Sequence, residues 1–450
     1  MKRKMFDYLV QWKKRTNGTS ALLVQGARRV GKSYIVEEFA KSAYKSYILI
    51  DFNKADDDVK DIFLHDLDNM DMLFQKLSTL YNKKLYPRES LIIFDEVQLF
   101  PRARSAIKYL VEDGRYDYIE TGSLISIRKN VEGILIPSEE DTVNMYPMDF
   151  EEFLWALGND TMYPTIVDHF TKREPLGQAL HRKAMDLFRL YLIVGGMPQA
   201  VKVYTATQDF DSVDAVKRRI LKLYREDIRK HAKGYEMKVE AIFDEIPSQL
   251  QNQNRHFKLS SIEKGARFDS YRDAMFWLSD AMIVNNCYNS TEPNIGLNLN
   301  RDRKLLKCYM GDTGLLVSHC FDEKGIVSEE IYKKLLLGKL EVDLGMIMEN
   351  IVAQMFTASG HKLFFYSNPS REDADARMEI DFLIAKSKIS NRHNISPIEV
   401  KSGKNYTLSS LNKFIRRYDQ QLHTPYVLHT SDLKVENDIV YLPVYMTALL

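Results

Sequence analysis

The sequence predicts an α/β protein that begins with a doubly wound parallel sheet, and three observations carry that prediction. The apolar run Ala21-Leu22-Leu23-Val24 breaks at a glycine-containing turn, and apolar residues resume with helical spacing over Tyr34–Ala40. A second apolar run, Leu91–Phe94, ends on the adjacent acids Asp95 and Glu96. Around these, strand-like runs alternate with helical patterns as far as about residue 150, the order expected of parallel strands joined by crossover helices.

Composition sets the outer bounds. A chain of 450 residues suits about three domains. A net charge of +1 excludes a basic field over the whole surface and leaves local patches open. Cys287, Cys308 and Cys320 share no CxxC spacing and read as reduced thiols of a cytoplasmic protein. The basic start Met1–Arg15 lacks a signal-peptide core, and no run nears the ~18 apolar residues of a membrane span, so no membrane partner is expected.

In chain order, residues 1–20 set Lys2, Arg3, Lys4, Lys13, Lys14 and Arg15 around the apolar stripe Met5, Tyr8, Leu9 and Trp12, an amphipathic helix with a solvated basic face. The turn after the first strand is Gly26-Ala27-Arg28-Arg29-Val30-Gly31-Lys32-Ser33. Strand, GxxxxGKS and helix together form the phosphate-binding loop known as Walker A. Its glycines let backbone N–H groups point at phosphate oxygens, and the helix N-terminus adds partial positive charge. Lys32 is placed for the β- and γ-phosphates and Ser33 for Mg²⁺, so ATP and Mg²⁺ are the expected ligands. Arg28 and Arg29 are further candidates for phosphate contact.

Ser46–Phe52 predicts the next strand, and Leu67–Leu80 a helix. The C-terminal end of a parallel strand faces the ligand crevice. At the end of Leu91–Phe94, Asp95 would therefore serve the Mg²⁺ shell and Glu96 would polarise the attacking water. Arg102–Val111 reads as a helix and Asp117–Glu120 as a strand ending in Thr121-Gly122-Ser123. Thr121 and Ser123 are candidates for positioning water or the γ-phosphate, with Ser123 taken as the catalytic choice. Thr142–Tyr146 is the last strand of a first domain spanning residues 1–150.

Residues 151–235 are helical in pattern, with Leu187–Val194 stopping at Gly195-Gly196-Met197-Pro198. The basic residues of the helix Asp211–Lys233, from Lys217 to Lys230, read as a solvated face. Over 240–290, three short helices and the strand Met282–Val284 have winged-helix spacing. The third helix exposes Arg272, Asp273 and Asp280, a poor face for reading DNA and a plausible one for a partner protein.

A third chemistry begins near residue 340. Leu344–Phe356 is a helix with Glu349 at the edge of its apolar stripe, and Lys362–Tyr366 a strand. The runs Glu379–Ile384 and Pro397–Gly403 supply Asp381, Glu399 and Lys401, with the last two on one strand face. Asp381 and Glu399 form a hard-cation site beside a lysine, able to hold Mg²⁺ for phosphoryl chemistry, while Lys401 orients water or neutralises charge. Between Lys386 and Arg417, eight basic residues (Lys386, Lys388, Arg392, Lys401, Lys404, Lys413, Arg416 and Arg417) face one acid, Glu399, giving 8 − 1 = +7 and a candidate phosphodiester-binding patch.

GARRVGKS, IIFDEVQ, TGSL, NMYPMDFEEFL and YLIVGGMPQAV resemble the prokaryotic AAA+-type ATPases that carry a restriction-endonuclease-like C-terminal domain. MEN around Glu349, EIDFLI around Asp381 and IEVKSG around Glu399 and Lys401 are similar to the PD-(D/E)xK nuclease signature. The resemblance implies a five-stranded P-loop core, a helical lid over 151–235, a winged-helix-like segment over 236–335 and a nuclease-like domain over 336–450. It also implies ATP hydrolysis, DNA as a partner and homo-oligomerisation through an arginine finger, for which Arg102, Arg104 and Arg128 are candidates. Two functions stay open: an ATPase controlling a metal-dependent nuclease, and a nucleotide-switched module that holds protein or DNA without cutting. A small-molecule kinase is disfavoured because the P-loop core is followed by a long helical lid and a separate domain, with no obvious acceptor pocket.

Overall fold

The computed structural model describes residues 1–123, 137–252, 255–321, 332, 334, 344–370, 372–385, 393–403 and 405–450. The chain divides into two compact units, one of residues 1–146 with 280–282 and one of 147–279 with 283–450.

The first unit is a five-stranded sheet in the order β2-β3-β4-β1-β5. Its strands are β1 (Ala21–Gln25), β2 (Ser46–Asp51), β3 (Ser90–Asp95), β4 (Asp117–Gly122) and β5 (Glu140–Asn144), and every pairing is parallel. β3 and β4 are buried along their whole length, as strands covered on both faces must be. Helices Lys32–Ala43, Asp57–His65, Met70–Leu80 and Pro101–Asp113 make the crossovers. Val59, Ile62, Phe63, Leu73, Phe74, Leu77, Ala103, Ile107 and Leu110 close a core on Ile48, Ile50, Ile92 and Phe94.

The amphipathic N-terminal helix is Lys4–Thr16, with Leu9 and Trp12 buried. Its basic residues are not all solvated. Arg3 is only 6% exposed, and its guanidinium donates to Val30 O at 2.9 Å and Tyr146 O at 2.7 Å, tying the phosphate loop to the end of the unit.

In the second unit, Asp149 and Glu152 make a reciprocal capping box that starts the helix Phe150–Ala156, a feature worth about 1 kcal/mol. This segment packs on the stop at Gly195-Gly196. Met148 N donates to Gly196 O at 2.7 Å and Tyr191 Oη to Met148 O at 2.7 Å. A Cβ on Gly196 would lie 2.2 Å from Met148 O. The MDFEEF and GGMP motifs therefore interlock through backbone.

On the helix Phe210–His231, the solvated basic face expected from the sequence is broken by Lys217, which is fully buried and donates to Ile193 O at 2.7 Å. Arg218 pairs with Asp214 at 2.6 Å and Arg225 with Asp244 at 3.0 Å. The helix Phe268–Asp280 buries Tyr271, Ala274, Met275, Trp277 and Leu278, as its spacing predicts.

The strand following that helix starts two residues later than expected, as β6 (Val284–Ser290), and pairs antiparallel with β7 (Arg301–Met310). These strands continue the sheet formed by β8 (Phe364–Asn368), β9 (Met378–Ala385), β10 (Ile395–Val400), β11 (Tyr426–His429), β12 (Lys434–Glu436) and β13 (Ile439–Pro443). The result is a mixed eight-stranded sheet in the order β12-β13-β11-β10-β9-β8-β6-β7, with β6 joined to β8 in parallel.

The helix Leu344–Ala358 is buried all round from Met346 to Phe356. Its polar residues reach backbone: Asn350 Oδ1 accepts from Met310 N at 2.7 Å and Gln354 Oε1 from Thr313 N at 2.8 Å. All three cysteines are free, and among the described residues no helix is long and apolar enough to cross a membrane.

Candidate functional sites

The first site lies at the C-terminal ends of β1, β3 and β4. Parallel pairing brings Val24 beside Thr121 and Phe94 beside Glu120, so the ends of three strands converge. Gly31 sits at φ 96°, ψ 24°, a left-handed conformation that favours glycine, and the next residue, Lys32, opens the helix. At Gly26 a Cβ would come 2.3 Å from Met145 O, so no side chain fits there. Lys32 Nζ lies back on the loop, donating to Gly26 O at 3.0 Å and Ala27 O at 3.1 Å. Ala27 and Val30 are buried, whereas Arg28 and Arg29 project outward.

Ser33 Oγ donates to Asp95 Oδ1 at 2.7 Å, and the Thr121 hydroxyl donates to the same oxygen. The paired hydroxyl and carboxylate are a hard-oxygen donor set that fits Mg²⁺. Thr121 is fully buried and bonded to Asp95, whereas Ser123 lies beyond the end of β4 with its side chain part-exposed. Glu96 adopts φ 54°, ψ 45°, which turns the chain sharply after β3, and the Gln98 side-chain amide donates to its carboxylate. Of the arginine-finger candidates, Arg104 is 6% exposed and ion-paired to Glu140 at 2.7 Å, so it is committed within the unit. Arg102 is exposed, and Arg128 falls outside the described residues.

The second site is a cluster of charges on the eight-stranded sheet. Strand alternation gives each pair Lys307/Tyr309, Glu379/Asp381 and Glu399/Lys401 a common face on β7, on β9 and at the end of β10. Glu349 was expected at the edge of an apolar stripe. It is instead 2% exposed, because apolar neighbours surround its helix on every side. Its carboxylate accepts from the Arg255 guanidinium and from Tyr309 Oη at 2.9 Å.

Lys307, 1% exposed, places its ammonium 2.9 Å from Glu379 Oε1, 3.7 Å from Glu349 Oε2 and 3.8 Å from Asp381 Oδ1. His256 Nε2 lies 3.2 Å from Glu379 Oε2. Asp381 Oδ2 accepts from Val400 N at 2.8 Å, and Lys401 Nζ meets Glu399 Oε2 at 2.6 Å. Glu399 Oε1 is buried and accepts no hydrogen bond among the described residues.

These contacts set the protonation balance. Burial, then the neighbouring Asp381 charge, pushes Glu399 up to about 8 and Glu349 up to about 7. Burial alone would also raise Glu379, yet Lys307 and His256 hold it down to about 2. Burial alone would lower Lys307, but Glu349, Glu379 and Asp381 hold it above the usual lysine range.

Lys307, Arg255, Glu379 and Tyr309 were not singled out from sequence. The available signal was a lone charge inside the apolar run Leu305-Leu306-Lys307-Cys308-Tyr309-Met310. The basic patch is also thinner than its count suggests. Lys386, Lys388, Arg392 and Lys404 lie outside the described residues, Lys401 turns to Glu399, and Lys413 donates to Ala374 O at 2.6 Å. Arg416 and Arg417 are the described members that are exposed.

Residues 18–154 match the family described as AAA domain, and this region is an AAA-type P-loop ATPase domain. Residues 185–324 and 344–447 match two families described as domains of unknown function, DUF8612 and DUF4143. Among solved structures, the Walker-type ATPase PABY2304 of Pyrococcus abyssi is 13% identical, with 71% of this chain and 95% of that chain covered at a TM-score of 0.40. The Aeropyrum pernix ORC1 protein in complex with DNA is 10% identical, with 72% and 93% covered at 0.28. AMPPCP-bound DnaA from Aquifex aeolicus is 11% identical, with 62% and 80% covered at 0.24. No curated protein matches this chain.

Proposed function

We propose that the chain is a Mg²⁺-dependent ATPase whose nucleotide state governs the activity of its C-terminal region. The observation that carries the ATPase reading is the Ser33–Asp95 contact of 2.7 Å at the end of β3, beside a phosphate loop too tight for any residue but glycine at position 26. In this reading the loop N–H groups and Lys32 bind the triphosphate, with Arg28 and Arg29 at its outer edge. Ser33 and Asp95 would hold Mg²⁺, which supplies charge neutralisation at the phosphates when bound. Thr121 fixes the Asp95 carboxylate, Glu96 orients the attacking water, and Ser123 contacts the γ-phosphate side. Phosphate release by the full chain, compared with Lys32→Ala and Glu96→Gln, tests it. Both variants are expected to lose turnover, and a Lys32→Ala protein hydrolysing ATP at the parent rate would overturn the reading.

For the C-terminal region we propose a metal-dependent phosphodiester site, with Asp381 and Glu399 as the metal ligands and Lys401 beside them. Glu399 Oε1 supports it, because a buried carboxylate oxygen with no donor among the described residues is where a cation gains most. A second reading, that the region holds DNA or a protein partner without cutting, is favoured by another observation. Glu349, Glu379 and Glu399 each already face a cation: Arg255, Lys307 and Lys401 respectively. Cleavage of plasmid and linear DNA with Mg²⁺ or Mn²⁺, with and without ATP, separates the two. Cleavage lost in Asp381→Asn supports the nuclease, and its loss in Lys32→Ala supports gating by ATP. Robust ATP hydrolysis with intact DNA leaves the binding module. The proposed division is an ATPase core over 1–150 and a helical lid over 151–235, followed by the segment 236–335, expected to be winged-helix-like, and the nuclease-like region 336–450, which share one sheet because β6 and β7 pair into it.

A further inference from the structure

The geometry points to Lys307 as a built-in cation that does the work of a divalent metal ion on one side of the carboxylate cluster, leaving the Asp381–Glu399 side as its open end. This inference stands on the placement of Lys307 and not on whether the site cuts DNA. A lysine ammonium is a compact point charge, and here it draws in three carboxylates from two separate elements. Glu349 comes from the helix Leu344–Ala358, and Glu379 and Asp381 come from β9. All three oxygens lie between 2.9 and 3.8 Å from the one nitrogen. The carboxylates gather round the nitrogen at ion-pair distance, and among the described residues no group of three or more His, Cys, Asp or Glu side chains is already placed to hold a metal ion.

The remaining oxygens show which side is closed. Both oxygens of Glu349 are occupied, one by Arg255 and one by Tyr309. On Glu379, Oε2 faces His256 at 3.2 Å and accepts from Ser367 Oγ at 3.3 Å. Asp381 Oδ2 accepts from Val400 N. The Phe365 ring lies 5.1 Å from the Lys307 ammonium and closes another side by a cation–π contact. Glu399 Oε1 has no such partner among the described residues. Lys307 lies equally near Glu349 and Asp381, at 3.7 and 3.8 Å, so the occupied oxygens and not its charge tell the sides apart: Glu349 has neither oxygen left for a divalent ion. Glu349 therefore acts as a positioning residue, anchoring Lys307, Arg255 and Tyr309, and does not ligate metal.

The test counts Mn²⁺ bound by the full chain without nucleotide, in an Asp95→Asn background that silences the phosphate-loop metal position. Bound Mn²⁺ is read by electron paramagnetic resonance and the melting temperature in parallel. Lys307→Met is expected to melt lower than its parent in metal-free buffer, to regain at least half of that loss in millimolar Mn²⁺, and to bind one more Mn²⁺ than the parent. An unchanged count, or no recovery by Mn²⁺, overturns the inference. If Lys307→Met fails to fold, Glu349→Gln decides: its Mn²⁺ count should equal the parent's, and losing one bound ion would make Glu349 a ligand and defeat the assignment. A parent that binds no Mn²⁺ at Asp381 and Glu399 removes the metal-dependent cleavage reading and overturns the assignment of that side as the open end.

Discussion

Replacing Thr121 with valine keeps the branched shape of a fully buried strand residue and removes only its hydroxyl. That hydroxyl donates to the same Asp95 oxygen that accepts from Ser33. A hydrogen bond to a charged acceptor contributes about 1.5–3 kcal/mol. If its role is to hold Asp95 in register for Mg²⁺, the same energy reappears as weaker metal use, at a factor of ten per ~1.4 kcal/mol. The Mg²⁺ concentration for half-maximal ATP hydrolysis should therefore rise roughly tenfold to a hundredfold. ATP binding measured without metal should change by less than about twofold, because Thr121 touches the carboxylate and not the loop. Steady-state phosphate release over a Mg²⁺ titration, with a melting curve to confirm folding, measures both. A Thr121→Val protein whose half-maximal Mg²⁺ lies within twofold of the parent would refute the positioning role.

Three more perturbations bear on the two units. Gly26→Ala forces a Cβ to within 2.3 Å of Met145 O, so the loop must shift. It should cost about 1–3 kcal/mol of stability and weaken ATP binding at least tenfold, read by denaturant unfolding and by calorimetric titration. Gly195→Ala puts a Cβ 2.4 Å from Asp312 Oδ1 and 2.9 Å from Gly314 Cα, at φ +81°. Combined strain and overpacking should destabilise by roughly 2–6 kcal/mol in denaturant melts. Glu399 carries the pH prediction. Burial and Asp381 raise it from the ordinary 4.5 to about 8 in the folded chain, so the folded state holds the proton longer than the unfolded state. Its contribution to stability is full below about 4.5 and is lost as pH rises towards 8. Melting temperatures of the parent should thus fall more steeply across that window than those of Glu399→Gln, and parallel slopes would count against it.

The phosphate loop and the acids after β3 were legible because their chemistry is local. Eight consecutive residues specify the turn, and an apolar run ending in acids specifies a strand end. Burial also followed periodicity closely where one face was involved, as in Phe268–Asp280. Periodicity failed at Glu349, since a helix that is apolar on almost every side gives no indication of which side faces solvent. It failed again at Arg3 and Lys217, read as solvated and found bonded to backbone carbonyls. That the Thr121 hydroxyl reaches Asp95 depends on the register that lines β4 up with β3.

By itself, then, the sequence determined the parallel five-stranded core and its phosphate loop, and placed Glu399 and Lys401 on one strand face. All of these follow from short-range stereochemistry and from the alternation of side chains along strands. Only the tertiary structure decided that β6 and β7 extend the C-terminal sheet, and that Lys307 and Arg255 meet Glu349 across separations of 42 and 94 residues. The reason is electrostatic. A buried charge is tolerated only beside its complement. Which complement reaches it depends on how distant strands and helices pack, and no local pattern in the chain encodes that.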